Sequence, residues 1–182
     1  MSALKARTAA FLVLVVVVIV AAIALQVLVR QRAELVYTYI APNRTELSVK
    51  DLQGHQILLT IEGGCLTSFC GKTINAFEQE DVIALKLENT GEKPISLPNT
   101  APWAIYEVKC VQGVFTRVKL VYQPIAAQVV VELKPGQTLA WTISLEELSK
   151  QVQVKPGTYE IAFKTMELGE VSLYIAVKGQ SL

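Results

Sequence analysis

Residues 82–88 read VIALKLE, and this stretch decides the fold class. Its large apolar residues Ile83, Leu85 and Leu87 alternate with residues that are small or charged. Because a β-strand points successive side chains to opposite faces, these three can face a core while the others face water. The pattern predicts a half-buried strand.

Nine further segments have the same character, rich in β-branched and aromatic residues. They are Glu34–Ile40, Glu46–Lys50, Gln56–Glu62, Trp103–Lys109, Phe115–Tyr122, Gln128–Leu133, Thr138–Ser144, Thr158–Lys164 and Val171–Lys178. Short strands spaced at about ten residues are typical of an all-β sandwich. A chain of about 150 residues is long enough to bury such a core. We therefore predict one all-β domain, an antiparallel β-sandwich, over residues 34–182.

Turn residues separate these segments. Asn89 and Gly91 belong to the turn cluster NTGEKP, and the tripeptide KPG occurs at 134–136 and again at 155–157, each time before a strand. Proline presets φ at the first turn position and glycine accepts positive φ at the next, so both copies predict type II turns.

A short helix is predicted between two of the strands. Ser144 is followed three residues later by Glu147, which is the pattern of a capping box. We expect a single helical turn at this point.

An apolar run precedes the sandwich. Residues 9–29 read AAFLVLVVVVIVAAIALQVLV, 21 residues without charge and with Gln26 as the one polar side chain. A helix of this length spans roughly 30 Å, the thickness of a bilayer core. The run also lacks the polar face of a soluble helix. We predict a transmembrane helix over 9–29, a short basic segment at 1–8 and a juxtamembrane linker at 30–33.

The run resembles both an anchor and a cleaved signal. Lys5 and Arg7 supply a basic start, and residues 22–24 offer a small-residue cleavage site, but the run is long for a signal and is followed by Arg30 and Arg32. An uncleaved anchor is the favoured interpretation. Basic residues are nearly balanced on the two sides of the run, so their count does not decide the orientation. The N-terminal position of the run and the cysteines favour a cytoplasmic N-terminus and an extracytoplasmic domain.

Composition excludes several functions. The chain of 182 residues carries 17 basic and 16 acidic residues, and all the acidic ones lie at or beyond Glu34. Setting aside the four bases around the apolar run leaves 13 basic against 16 acidic residues, which argues against nucleic-acid binding. The single histidine, His55, has no evident carboxylate partner in the sequence and reads as a surface residue. We predict no enzyme activity, no cofactor and no metal.

Two polar patterns have a functional alternative. Glu78, Glu80 and Asp81 precede a strand, where a solvated acidic loop is the usual explanation and a weak calcium site the other. Asn43 begins an N-x-T triplet and is a candidate for glycosylation outside the cell.

Three cysteines occur, at Cys65, Cys70 and Cys110. The first two lie in a short segment bounded by glycines, and a disulfide between them suits an oxidising exterior. Reduced thiols or a bond to Cys110 are the second interpretation. A metal or redox site is the third, although zinc would need two more ligands of the usual kind and copper a second histidine.

Residues 81–165 resemble a known module. LENTGEKPISLP, PWAIYEV, LVYQPI, LKPGQTLAWTISL and VQVKPGTYEIAFKT follow one another in an order similar to that of the intracellular proteinase inhibitor family of BsuPI type. The matching positions are structural turns and core residues: Asn89, Gly91, Pro135, Gly136, Trp141, Pro156, Gly157, Thr158 and Tyr159. The resemblance implies an immunoglobulin-like fold and carries over no inhibitory residue. The segment after Trp141 lacks a loop rich in glycine and aspartate that such modules share.

Three functions fit this architecture. The first is a binding or assembly module in the cell envelope, an accessory subunit of a membrane or surface complex. It would contact a protein partner, or a further copy of itself, through an open sheet edge or the loop Pro98–Trp103. The second is a protease inhibitor, implied by the resemblance. The third is a subunit of a type IV pilin-like filament, although Lys5 to Arg7 match a prepilin cleavage site poorly. In the loop, core packing of Trp103 is favoured over recognition.

Overall fold

A computed structural model describes residues 34–41, as backbone, and residues 43–179. The predicted segments 1–8, 9–29 and 30–33 lie outside the described residues. Within the described part of the chain, no helix has the length and apolar character needed to cross a bilayer.

Strands dominate the described chain, with one helix, α1 (Leu145–Gln151). The strands are β1 Glu34–Ala41, β2 Arg44–Lys50, β3 Gln56–Glu62, β4 Cys65–Phe69, β5 Lys72–Phe77, β6 Val82–Asn89, β7 Ile95–Leu97, β8 Trp103–Val111, β9 Val114–Tyr122, β10 Val131–Leu133, β11 Thr138–Ser144, β12 Gly157–Lys164 and β13 Glu170–Val177. The predicted all-β class is confirmed.

The strands form two large sheets and a small ribbon. The five-stranded sheet has the order β1-β2-β3-β6-β11, and the six-stranded sheet has the order β4-β5-β13-β12-β8-β9. A two-stranded ribbon pairs β10 with β7. The fold is therefore a sandwich-like, all-β arrangement.

Alternation of side chains builds the core. Ile83, Leu85 and Leu87 of β6 are fully buried, as the VIALKLE pattern predicts. The six-stranded sheet buries its own apolar face, and the Trp141 ring of β11 lies 5.7 Å from the Phe163 ring of β12. Since these two rings belong to different sheets, the buried faces of the two sheets meet.

The prediction that all strands are antiparallel is wrong at one place. β5 pairs with β13 in parallel, through Ile175 opposite Asn75. A parallel pair needs a long connection, which the chain between β5 and β13 provides. Three short strands were also not predicted. β4 lies in the segment 63–71 that was interpreted as a glycine-bounded loop, β5 follows that segment, and β7 has three residues between Pro94 and Pro98.

Ser144 caps the predicted helix, through one of the two hydrogen bonds of a capping box. The Ser144 hydroxyl accepts a hydrogen bond from the Glu147 amide at 3.2 Å, and α1 begins at the next residue, Leu145. With seven residues the helix makes about two turns, one more than predicted. Leu145 and Leu148 are its buried side chains.

Candidate binding surface

Two hairpins form the rims of the six-stranded sheet. β4 joins β5 through Cys70 and Gly71, and β8 joins β9 through Gln112 and Gly113. All four turn residues have positive φ, at 54°, 72°, 52° and 79°. Two consecutive residues with positive φ are the signature of a type I′ hairpin turn, which also suits the twist of the flanking strands.

A disulfide joins the two hairpins. Cys70 bonds to Cys110 with their Cα atoms 5.7 Å apart. In a flat sheet β5 and β8 would lie about 14 Å apart, because β13 and β12 stand between them. The two hairpins therefore leave the sheet plane and converge. We call Cys70, Cys110 and the two hairpins the clamp.

The predicted Cys65–Cys70 disulfide is wrong. Cys65 begins β4 and Cys70 follows its last residue, so an extended strand separates them by about 16 Å. A disulfide requires Cα atoms within about 7 Å. Cys65 is an exposed free thiol instead.

Aromatic side chains pack beneath the clamp. The Phe115 ring stacks on Tyr174 with centroids 4.0 Å apart, and Phe69 lies 6.0 Å from Phe115. The Lys72 ammonium lies 4.8 Å from the Tyr174 ring centroid. Tyr174 belongs to β13, whose neighbouring residues Leu173 and Ile175 point into the core. The hairpins therefore converge over the outer face of the six-stranded sheet.

An ion-pair network lies on the same face. Arg117 of β9 donates to Glu160 of β12 through Nε at 2.6 Å and Nη2 at 2.8 Å, and also to Glu170 of β13. The guanidinium lies 4.1 Å from the Tyr106 ring centroid, within cation–π range. Burial alone would raise the pKa of Glu160, but the hydrogen bonds from Arg117 outweigh it and hold this pKa below its ordinary value. The same carboxylate raises the pKa of Arg117.

β9 is an open edge that is partly protected. Its register with β8 shifts twice, and Lys119 lies 3.2 Å from Glu107 across the pair. Irregular pairing and edge lysines are devices that discourage strand addition. Val118 and Leu120 are nevertheless about half exposed on this strand.

The exposed apolar surface continues beyond β9. Residues 123–130 read QPIAAQVV, form no strand and contain no charge. Ile125 is fully exposed, and Val129 and Val130 are 53% and 64% exposed. A soluble chain seldom leaves so many aliphatic side chains together in water, and such patches mark interaction sites. We call Gln123–Val130 the connector.

The connector is where a predicted strand stops short. Gln128–Leu133 was predicted as one strand, but pairing begins at Val131, which lies opposite Leu97. The next partner would be Pro98, which has no N–H to donate. The first half of the predicted strand is left without a neighbour in this part of the chain.

Asn89 and Gly91 make the turn that the sequence predicts. Asn89 is fully buried, and its side-chain amide donates to the carbonyls of Lys93 and Leu133 at 2.8 and 2.7 Å. Its Oδ1 accepts from the Gly91 amide at 3.0 Å. A Cβ at Gly91 would lie 2.6 Å from the Gln56 nitrogen, so a larger residue cannot occupy this position without a backbone shift.

The two KPG copies differ. In the first, Gln137 N–H donates to the Lys134 carbonyl at 3.0 Å and Gly136 has φ of 75°, so this copy, which also contains Pro135, forms the predicted type II turn. Gly157 in the second copy has no positive φ and begins β12, so the second prediction is wrong.

At the second KPG, hydrogen bonds with Tyr159 shape the backbone, where the first KPG uses a glycine of positive φ. The Tyr159 hydroxyl donates to the Lys155 carbonyl at 2.6 Å and accepts from the Lys155 amide at 3.0 Å. These two bonds fold the backbone around exposed Pro156 without a residue of positive φ. Burial raises the pKa of Tyr159.

The two tryptophans have different environments. Trp103 is 7% exposed and lies 5.9 Å from the Tyr122 ring, so its predicted core packing is confirmed. Trp141, predicted as a core aromatic, is half-buried, and its indole N–H reaches the Thr100 carbonyl at 3.3 Å. β11 is an edge strand, which leaves one side of that ring open.

His55 is not the isolated surface residue that was predicted. Its Nδ1 lies 2.7 Å from Asp51 Oδ2, and its side chain is 13% exposed. Burial would raise the pKa of Asp51, but hydrogen bonds from the His55 side chain and from the backbone of His55 and Gln53 outweigh it and lower this pKa. The pair closes the loop between β2 and β3.

The remaining polar candidates lie apart. Asp81 accepts from the Glu78 amide at 2.7 Å, and Glu78 pairs with Lys178 at 2.9 Å. Among the described residues, no group of three or more histidine, cysteine or acidic residues is placed to hold a metal. Asn43 is exposed in the turn between β1 and β2, while the Thr45 hydroxyl is buried against Asn75.

Comparison with known proteins assigns no family. No protein-family model and no curated protein matches the sequence. Similar solved structures include a β-glucosidase from Listeria innocua in complex with glucose and a mutant of it in complex with laminaribiose, with TM-scores of 0.33 and 0.35 at 13% identity. The match covers 70% of this chain and 17% of each of those chains.

Proposed function

We propose that this chain is a non-catalytic, membrane-anchored module that assembles into a complex at the cell envelope. Residues 9–29 would hold it in the membrane, and residues 34–182 would form an immunoglobulin-like domain outside the cytoplasm. The observation that carries the proposal is the exposed, uncharged connector Gln123–Val130 beside the open edge strand β9.

The immunoglobulin-like assignment is supported by the Tyr159 contact. A tyrosine near the start of a strand, with its hydroxyl bonded to backbone a few residues upstream, is a hallmark of such sandwiches. Tyr159 is the third residue of β12 and bonds to Lys155. The contact supports the fold and says nothing about protease inhibition.

The compartment is supported by the clamp. Disulfides persist in oxidising environments and are rare in the cytosol. The exposed thiol of Cys65 offers a direct test. A membrane-impermeant maleimide added to intact cells is expected to label Cys65, and the Cys65→Ser variant serves as control. Labelling seen only after lysis would place the domain in the cytoplasm.

The assembly role is tested on the full chain. After extraction in mild detergent, size-exclusion chromatography with light scattering is expected to show a particle larger than one chain. Replacing Ile125, Val129 and Val130 together by serine should return it to single chains, because the exposed apolar contact is lost. Leu52→Ser is the matched control, since Leu52 is 76% exposed on a different loop. A wild-type chain that elutes alone and without companions would sink the proposal.

A further inference from the structure

The connector contains strand-type residues that have no neighbour in the described chain. Gln128, Val129 and Val130 run directly into β10, yet the ladder with β7 starts only at Val131. Pro98 ends that ladder on the β7 side. Residues with strong β preference are thus exposed beside the end of the ladder, where the Val129 N–H donates to the Ala127 carbonyl at 2.9 Å. An exposed, unpaired segment of strand-type residues is a place where strands pair between chains.

We propose that this stretch is the contact between two copies of the chain, in which residues 128–132 of each copy pair antiparallel about Val130 and extend β10. This inference rests on the proposed function and names the partner at the same surface. The interface would be isologous, as in a two-fold dimer, with the same residues contributed by both copies.

The distribution of charge favours a second copy at the connector. No charged residue occurs between Lys119 and Glu132. With Val130 at the two-fold axis, each Val130 lies opposite its own counterpart and Val129 lies opposite Val131. Gln128 then lies opposite Glu132. No like charges meet, and the exposed valines cover one another.

The same test argues against self-pairing at the centre of β9. With Val118 at the two-fold axis, Arg117 of one copy would lie opposite Lys119 of the other. Like charges directly opposite each other destabilise a strand pair. The register shifts of β9 also interrupt its edge. A second copy is therefore expected at the connector and not along β9.

The size of the surface indicates a reversible contact. Leu120, Ile125, Val129 and Val130 are each half to fully exposed. Aliphatic side chains of this kind offer on the order of 100 Å² each, so the buried area reaches roughly 400 Å² per copy. Stable interfaces bury about 800 Å² per partner, so we expect a dimer that exchanges with single chains.

Cross-linking of the full chain in its membrane tests the proposal. In a Cys65→Ser background that keeps the Cys70–Cys110 disulfide, Gln128→Cys is treated with a short bis-maleimide. We expect an adduct of twice the chain mass, at least about tenfold more abundant than with Leu52→Cys in the same background. Adding Val130→Lys should reduce the Gln128→Cys adduct by a similar factor, because the lysine would be buried without a partner.

Each result of the cross-linking experiment either supports or overturns a second copy as the partner. Equal adducts from Gln128→Cys and Leu52→Cys would mean random collision and would overturn it, as would no adduct at all. An adduct with a different protein would also overturn it while supporting the assembly role. Val130→Lys removes no buried contact, so unchanged thermal unfolding of that variant confirms that a lost adduct is not misfolding.

Discussion

The two large sheets are held together in different ways. The β1-β2-β3-β6-β11 sheet relies on antiparallel neighbours joined in near-continuous register. The β4-β5-β13-β12-β8-β9 sheet adds a parallel pair, two register shifts, a disulfide and the Arg117 network. The first sheet follows from local alternation of side chains. The second needs links between residues far apart in sequence, and it is the second that presents the connector and the open edge β9.

Removing the disulfide should give the largest difference in stability between the two sheets. Cys70→Ser with Cys110→Ser opens a link across 40 residues, and loop-closure entropy predicts a loss of about 4 kcal/mol in the free energy of unfolding. Hydrogen exchange is expected to rise in β5 and β9 and to change little in β2 and β3. Denaturant unfolding measures the loss of stability, and mass spectrometry measures the exchange. A uniform rise of exchange in all strands would contradict the proposed difference between the two sheets.

A counterpart in the five-stranded sheet is Asn89→Ala. The variant leaves the carbonyl of Leu133, at a buried position, and that of Lys93 without the Asn89 donor, so we expect a loss of about 2–3 kcal/mol. Exchange should rise around the turn after β6 and spare the clamp. Asn99→Ala is the control, because Asn99 accepts one hydrogen bond at a partly exposed position. Equal losses for the two variants would show that burial of Asn89 is unimportant.

Glu160→Gln probes the electrostatic link of the six-stranded sheet. It leaves Arg117 without its principal partner, and because Arg117 is 37% exposed we expect a loss of only about 1–2 kcal/mol. Since the folded-state pKa of Glu160 lies below its ordinary value of 4.5, its contribution is present above that value and is lost as the pH falls through the folded pKa.

The measurement for Glu160→Gln is therefore a pair of unfolding curves at several pH values. The gap between wild type and variant should narrow from about pH 5 downward. Glu92→Gln, at an exposed position of the turn after β6, is the matched control. A gap that stays constant with pH would mean that the carboxylate charge does not contribute.

The smallest effect is expected at Cys65→Ser. Cys65 is exposed and outside the clamp, so stability should change by less than about 0.5 kcal/mol. A large loss of stability would mean that Cys65 also stabilises the two hairpins. The six-stranded sheet would then depend less on the Cys70–Cys110 disulfide than we propose.

Periodicity was enough to predict the regular strands. In β6 the alternation of Ile83, Leu85 and Leu87 matches their burial, because one face of that strand meets the core. It failed at β4, where CLTSF offers no alternation of large apolar side chains and Gly71 was read as a loop boundary. The glycines of the dipeptides Cys70-Gly71 and Gln112-Gly113 were the overlooked signal, since type I′ turns favour glycine at the second central position.

The candidate surface was predictable only in outline. An open sheet edge was expected, but which strand would be an edge depends on sheet order, and sheet order depends on contacts between distant segments. The predicted Cys65–Cys70 disulfide was wrong for the same reason. Proximity in sequence favoured Cys65 as the partner of Cys70, whereas convergence of the two hairpins places Cys110 beside it. The Arg117–Glu160 pair joins residues 43 positions apart and has no local signature.

The position of β1 has a mechanical consequence. Among the described strands, β1 lies at the end of its sheet and pairs only with β2, beginning with Glu34 opposite Lys50. A pulling force applied ahead of Glu34 would break these pairs one after another, at low load. The Cys70–Cys110 bond would keep the segment it encloses from lengthening, which shortens the greatest extension of the chain by roughly 140 Å. Under tension the domain would therefore yield from its first strand while the clamped hairpins kept their shape.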